Sequence, residues 1–241
     1  MQFISEELLD DGVLDRGFVV GDVPGVLWTP SGPGPWPLVL IGHPGGFHKR
    51  FDRVVARARY YAGQHGFAVA AIDAPGCGER TPSAAGDRLR AEIRSAAQAR
   101  EPLDELLEAL VVPLVEQAVP EWSATLDDLL DLPEIAGPVA YEGMLPIGIG
   151  LAAADPRVAA AVVFGQTFVP DRLREAARAL ALPLLFLMQW DDEGMAREAV
   201  LEVFDAFGSE QKVLHANVGG HTGTPWWELE DSARFLARHL R

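Results

Sequence analysis

Several short runs dominated by apolar residues recur along the chain with helix-length segments between them. They are "PLVLIGH" (37–43), "FAVAAID" (67–73), "VAYE" (139–142), "VAAAVVF" (158–164) and "PLLFLMQ" (183–189), and "QKVLHA" (211–216) reads as the last strand. A strand that is apolar along its length has no polar face to offer water, so both of its faces must be covered. Ahead of them, "GFVVGDVPGVLWT" (17–29) reads as two short strands joined by a Gly/Pro turn. Helical spacing follows over Asp52 to His65, with Gly66 where a C-terminal cap belongs, and near 146–154, 171–181, 195–207 and 225–240. Strand and helix alternate. The expected architecture is α/β, a mostly parallel, doubly wound sheet with helices on both faces.

The 241 residues suit one such domain, and 49% hydrophobic residues supply a core for it. The charge bounds the partners. With 35 acidic and 20 basic side chains the net charge is −15, a surface that repels phosphate backbones and anionic lipid. Neither nucleic acid nor membrane is expected as a partner, and a small-molecule substrate is. No uninterrupted apolar stretch reaches the roughly 18 residues of a membrane span. The opening "MQFISEELLDDG" lacks a basic segment followed by an apolar one, so it does not read as a signal peptide. The single cysteine, Cys77, allows no intrachain disulfide. These features predict a cytoplasmic protein, with the oligomeric state open and a homodimer included.

One segment interrupts the alternation. Residues 83–131 carry no convincing strand; "DRLRAEIRSAAQARE" and "LDELLEALVVPLVEQAV" have helical spacing, with Pro102, Pro113 and Pro120 as breaks or first-turn residues. Glu121 to Asp131 is expected to lead into the Val139 strand. Residues 83–120 are then a helical insertion, expected as a lid over a pocket at the strand ends, within a single domain spanning 1–241.

Ligands of open α/β sheets bind beyond the carboxyl ends of the strands. The residues that follow the strands are "HPGGFHKR", "APGCGER", "EGMLP", "GQTF", "QWDDEGM" and "NVGGHTG". A Gly-rich turn follows an early strand; an acid and then a histidine follow late ones. Glu142 closes one strand, and a carboxyl there could act as general acid, base or nucleophile, or be paired with an arginine. Gln166, Thr167 and Trp190 are candidate pocket-lining residues. "HKR" (48–50) is expected to be solvated. No Cys/His/Asp cluster has metal-ligand spacing and no Gly-x-Gly-x-x-Gly follows a strand, so neither a metal nor another cofactor is expected.

The order of "LIGHPGG", "DAPGCGER", "QWDDEGM" and "GGHTG" resembles the α/β-hydrolase superfamily over essentially the whole chain, and more closely small bacterial hydrolases of the dienelactone-hydrolase and acyl-peptidase-like group. The resemblance implies that His221 is the general base and Asp192 the acid that orients it, with Asp191 the alternative. It also implies an oxyanion donor at Gly45 or Gly46, since Pro44 has no N–H. The family places a serine in a strained Gly-x-Ser-x-Gly turn after the strand that here reads "VAY". Residues 138–148, "PVAYEGMLPIG", hold no serine, threonine or cysteine. Two alignments of that turn are open, one placing Leu145 and the other Glu142 at the nucleophile position. Cys77, in the neighbouring loop, is another candidate, and a third route is a His221–Asp192 dyad that activates water. The expectation is an enzyme without a serine nucleophile acting on a small apolar ester, lactone or related carbonyl compound. The competing readings are a lyase, isomerase or cyclase on the same fold, and a catalytically inactive ligand binder.

Overall fold

A computed structural model describes residues 1–166 and 168–240. Among them a nine-stranded sheet has the order β1-β2-β3-β5-β4-β6-β7-β8-β9. The strands are β1 (Gln2–Leu8), β2 (Leu14–Val20), β3 (Val23–Thr29), β4 (Trp36–Ile41), β5 (Ala68–Ile72), β6 (Ile135–Met144), β7 (Val158–Phe164), β8 (Leu184–Gln189) and β9 (Lys212–Asn217). The first three strands pair antiparallel with one another, and β3 pairs antiparallel with β5. From β5 across to β9 every pairing is parallel. Seven helices connect the described strands: α1 (Asp52–His65), α2 (Ala84–Ala99), α3 (Asp104–Leu130), α4 (Leu145–Ala154), α5 (Asp171–Ala179), α6 (Arg197–Ala206) and α7 (Trp227–His239).

The apolar runs are strands because both faces of the sheet are roofed. In β4, Leu38 and Leu40 join the cluster that packs under α3 and α4, whereas Val39 and Ile41 join the one under α1 and α7. A period of two with no polar partner is what a doubly covered strand looks like in sequence. The helix over 52–65 and its Gly66 cap are as expected: Gly66 sits in the left-handed region at φ 67° and its N–H closes onto Tyr61.

Three departures have physical causes. The first strand, β1, gave no signal because all seven of its residues are exposed. It is a sheet edge without a buried face, so it shows no apolar alternation. Second, α3 runs unbroken from Asp104 to Leu130 through Pro113 and Pro120. Each proline removes one N–H from the helical ladder, but tertiary packing holds the helix together. It presses on α4 so closely that a β-carbon at Gly150 would lie 2.8 Å from Val115 and 2.9 Å from Val119. Third, "HKR" is not solvated throughout. Lys49 is buried, its amide and Nζ both 2.8 Å from Asp73, and Arg50 makes a two-pronged bond to Asp15.

The junction of β6 and α4, which holds no serine, threonine or cysteine, is shaped by Gly143. Its φ is +155°, and a β-carbon would lie 2.8 Å from both the Gly42 carbonyl oxygen and the Tyr141 hydroxyl. Met144, which follows, is at an ordinary φ of −59° and ψ of 127°. No side chain is therefore held in a strained turn here. Gly143→Ala is expected to lower unfolding stability by roughly 1–3 kcal/mol. Gly63→Ala in α1, where the nearest atom to the new methyl is Val13 at 3.5 Å, should raise it by roughly 0.5–1 kcal/mol. Urea unfolding of the two variants checks both.

Candidate active site

A cavity of about 540 Å³ opens at the carboxyl ends of β4, β6, β7 and β8. Its wall is mainly apolar, including Ile41, Phe47, Phe51, Phe164, Leu187 and Met195. His221 and Asp192 both line it, with His221 Nδ1 2.8 Å from Asp192 Oδ2. The carboxylate only accepts, so the proton on that line sits on Nδ1, and in the neutral ring Nε2 is the nitrogen that can accept one. Asp192 is in turn fixed by the Gly194 N–H, 2.8 Å from Oδ1. Its side chain is 8% exposed, against 64% for His221.

The neighbouring acid does a different job. Asp191 Oδ1 accepts the N–H of Gly219 at 2.8 Å and of Gly220 at 3.0 Å. These two bonds hold its carboxyl below the usual carboxylate range. Asp191 thus shapes the loop that carries the histidine, and Asp192 is the acid in contact with its ring. Gly220 permits the turn, at φ +69°.

The early loop is pinned from several sides. Its residues Gly45 and Gly46 make no hydrogen bond through their N–H groups to the described residues, and Gly45 lines the cavity. Around them, Lys49 bonds to Asp73, and Arg50 bonds to Asp15, which also accepts from the Trp28 indole at 2.7 Å. Buried His43 accepts the Ala74 N–H on Nε2 at 2.9 Å, so its own proton is on Nδ1 and is donated to the Pro44 carbonyl at 2.8 Å. The residues flanking the two glycines are thus held by side-chain bonds on both sides.

Glu142 is fully buried and contributes to the cavity wall. It accepts a 2.6 Å hydrogen bond from Tyr61, and its Oε1 lies 2.8 Å from Arg57 Nε. That second contact is one of charge without hydrogen-bond alignment, since both atoms lack an aligned partner. Burial pushes the Glu142 carboxyl upward despite the charge of Arg57 and the Tyr61 bond. The arginine-paired alternative for this residue is the one the geometry displays.

Gln166 lines the cavity. Leu145 does not; it is fully buried in the core with Val111 and Val115. Cys77 does not either, being buried in the turn after β5 between Gly76 and Gly78, both at positive φ. Trp190 is exposed and stacks under Arg197, 3.9 Å from ring centre to guanidinium carbon, and is not among the lining residues. Thr167 lies outside the described residues. No residue of α2 or α3 lines the cavity.

Sequence reasoning missed Arg53 and Arg57, which line the cavity, and Tyr61, which holds Glu142. Their spacing of four along α1 was the available signal, since it stacks three polar side chains on one face. Away from the cavity, β9 and α7 bring His215, Glu228 and Asp231 together, with ligand-type atoms within 4.8 Å of one another. Glu228 is already shared by His215 at 2.9 Å and Asn217 at 2.7 Å, and Asp231 by Arg234.

No protein-family model matches the chain, and no curated protein does. Solved structures do. The PEG-bound complex of a cold-adapted esterase from an Arctic intertidal metagenomic library is 30% identical, with each chain covered in full and a TM-score of 0.79. The chain belongs to the α/β-hydrolase family. The native structure of that cold-adapted esterase matches at 27% identity and TM-score 0.74, again over both whole chains. An acetyl xylan esterase from Paenibacillus sp. R4, at 16% identity and TM-score 0.67, covers 99% of this chain and 88% of its own, and shares the α/β-hydrolase fold. Among the described residues of this α/β-hydrolase no helix is long and apolar enough to cross a membrane.

The clamp at His43 has a pH signature. Burial holds its imidazole below the ordinary histidine value. Below about pH 6.5 the unfolded chain takes up a proton that the folded His43 refuses, so stability falls as the solution is acidified. The stability difference between wild type and His43→Gln, followed by urea unfolding, should therefore be largest near pH 7.5 and shrink towards pH 5.

Proposed function

We propose that this α/β-hydrolase hydrolyses a small, largely apolar ester or lactone, with the His221–Asp192 dyad activating water directly. The observation that carries the reading is the 2.8 Å contact between His221 Nδ1 and Asp192 Oδ2 at a mainly apolar cavity. It makes Nε2 of the neutral ring the candidate base, with the ring oriented by an acid that is nearly buried. The likeness to solved esterases supports the reaction class.

The steps balance without a covalent enzyme intermediate. A water gives one proton to His221 Nε2 as its oxygen adds to the ester carbonyl. The carbonyl oxygen becomes an oxyanion, and the N–H groups of Gly45 and Gly46 are the donors suited to it. Asp192 stabilises the imidazolium without taking its proton. The intermediate then collapses, the C–O bond breaks, and the imidazolium returns the proton to the leaving alcohol. Acid and alcohol are the products, and the base is regenerated. Glu142, Leu145 and Cys77 have no covalent part in this sequence. Glu142 instead holds Arg57.

Activated aryl esters and lactones test the reading. His221→Ala should lower kcat by about 10²–10⁴-fold. Asp192→Asn should lower it strongly, because an amide can hold the ring in the wrong tautomer. Asp191→Asn, which loosens only the loop, should cost far less. Full activity in His221→Ala would contradict the proposal.

A further inference from the structure

The dyad leaves a positively charged wall without an assigned role. Three arginines line the cavity, Arg53 and Arg57 from α1 and Arg197 from the first turn of α6, against two carboxylates, Glu142 and Asp192. Asp192 is committed to His221 and to the Gly194 N–H, and Glu142 to Tyr61 and Arg57. Arg53 donates to the Thr222 carbonyl at 2.5 Å, and Arg197 donates to the Trp190 carbonyl at 3.1 Å while lying over that indole. Neither has a carboxylate within ion-pair distance among the described residues. In a chain of net charge −15, a concave wall with surplus positive charge runs against the overall balance.

Arg57 is the best organised of the three. Its side chain is 16% exposed, its Nε is held 2.8 Å from Glu142, and its guanidinium carbon stands 5.2 Å from the centre of the Phe164 ring. Its Nε has no aligned hydrogen-bond acceptor among the described residues, and the side chain lines the cavity. A planar guanidinium held between Glu142 and Phe164 in the cavity wall suits a carboxylate in two-pronged geometry. Arg53 lies one helical turn away on the same face and adds a second positive charge. The rest of the wall suits a hydrocarbon chain.

We propose that the substrate is a small apolar ester that also bears a free carboxylate, bound by Arg57 with Arg53 and Arg197 alongside while its ester group reaches His221. This deepens the hydrolase reading and rests on it.

The test uses two matched pairs of esters. One pair is the 4-nitrophenyl half-ester of adipic acid and its neutral primary amide, which put the carboxylate on the acyl side. The other is the acetate ester of 6-hydroxyhexanoic acid and its primary amide, which put it on the alcohol side. Wild type should favour the carboxylate over the amide by about ten-fold or more in kcat/KM in at least one pair. Arg53→Gln and Arg57→Lys should each shrink that preference several-fold. Arg57→Lys keeps a cation opposite the buried Glu142 and removes only the fork, so the fold is preserved. Equal turnover of acid and amide in both pairs overturns the carboxylate proposal and leaves the hydrolase reading standing. If wild type turns over none of the four, the hydrolase reading has failed. Calorimetric titration with the adipate half-ester and its amide then decides: a preference for the anion that both variants weaken sustains the anchor, and no preference overturns it.

Discussion

The carboxylate of Glu142 is buried at the end of a central strand, and burying an ionised carboxylate costs on the order of several kcal/mol unless a partner offsets it. Arg57 and Tyr61, one turn apart on α1, are that partner. The contact ties the first crossover helix to β6 and places a guanidinium beside the cavity. Parallel pairing sets Glu142 beside Ile41 of β4, with the Gly42 N–H 2.8 Å from the Glu142 carbonyl. The strand end, the loop after β4 and the helix after that loop are thus braced against one another.

The loops around this brace follow the same physics. Groups with no water to turn to are paired, and the pairs hold the loops in position. Asp73 takes the amide and the Nζ of Lys49 and the amide of Glu79, and its carboxyl is held low although burial alone would raise it. Gly78 approaches that carboxyl so closely that a β-carbon would sit 2.2 Å from it. Asp191 gathers Gly219 and Gly220, and Asp192 meets the histidine those glycines present. Groups fixed before a ligand binds need no reorganisation when it arrives.

Much of the fold was legible because the central strands are apolar on both faces and the helices between them are amphipathic. The edge strand β1 was not, since exposed residues carry no pattern. The continuity of α3 was hidden by two prolines whose local cost is overridden by packing on α4. At the site, the resemblance led to Asp192 and His221, which follow late strands and which the fold brings into contact. The division of labour between Asp191 and Asp192 was not legible, because adjacent acids differ only in which loop amide or ring each one meets. Lys49 looked like part of a solvated basic run, and only the fold brings Asp73 over it. Arg57 was overlooked for a similar reason: on a helix it reads as solvent-facing until the sheet places Glu142 opposite.

The claim on which the account turns is that water, and no side chain, attacks the ester. Intact-mass spectrometry of the enzyme quenched during turnover of an activated aryl ester tests it most directly. The account predicts the mass of the unmodified chain alone at every time point. An acyl adduct that forms and decays at the rate of turnover, mapped by digestion to Glu142, Cys77 or another side chain, would contradict it.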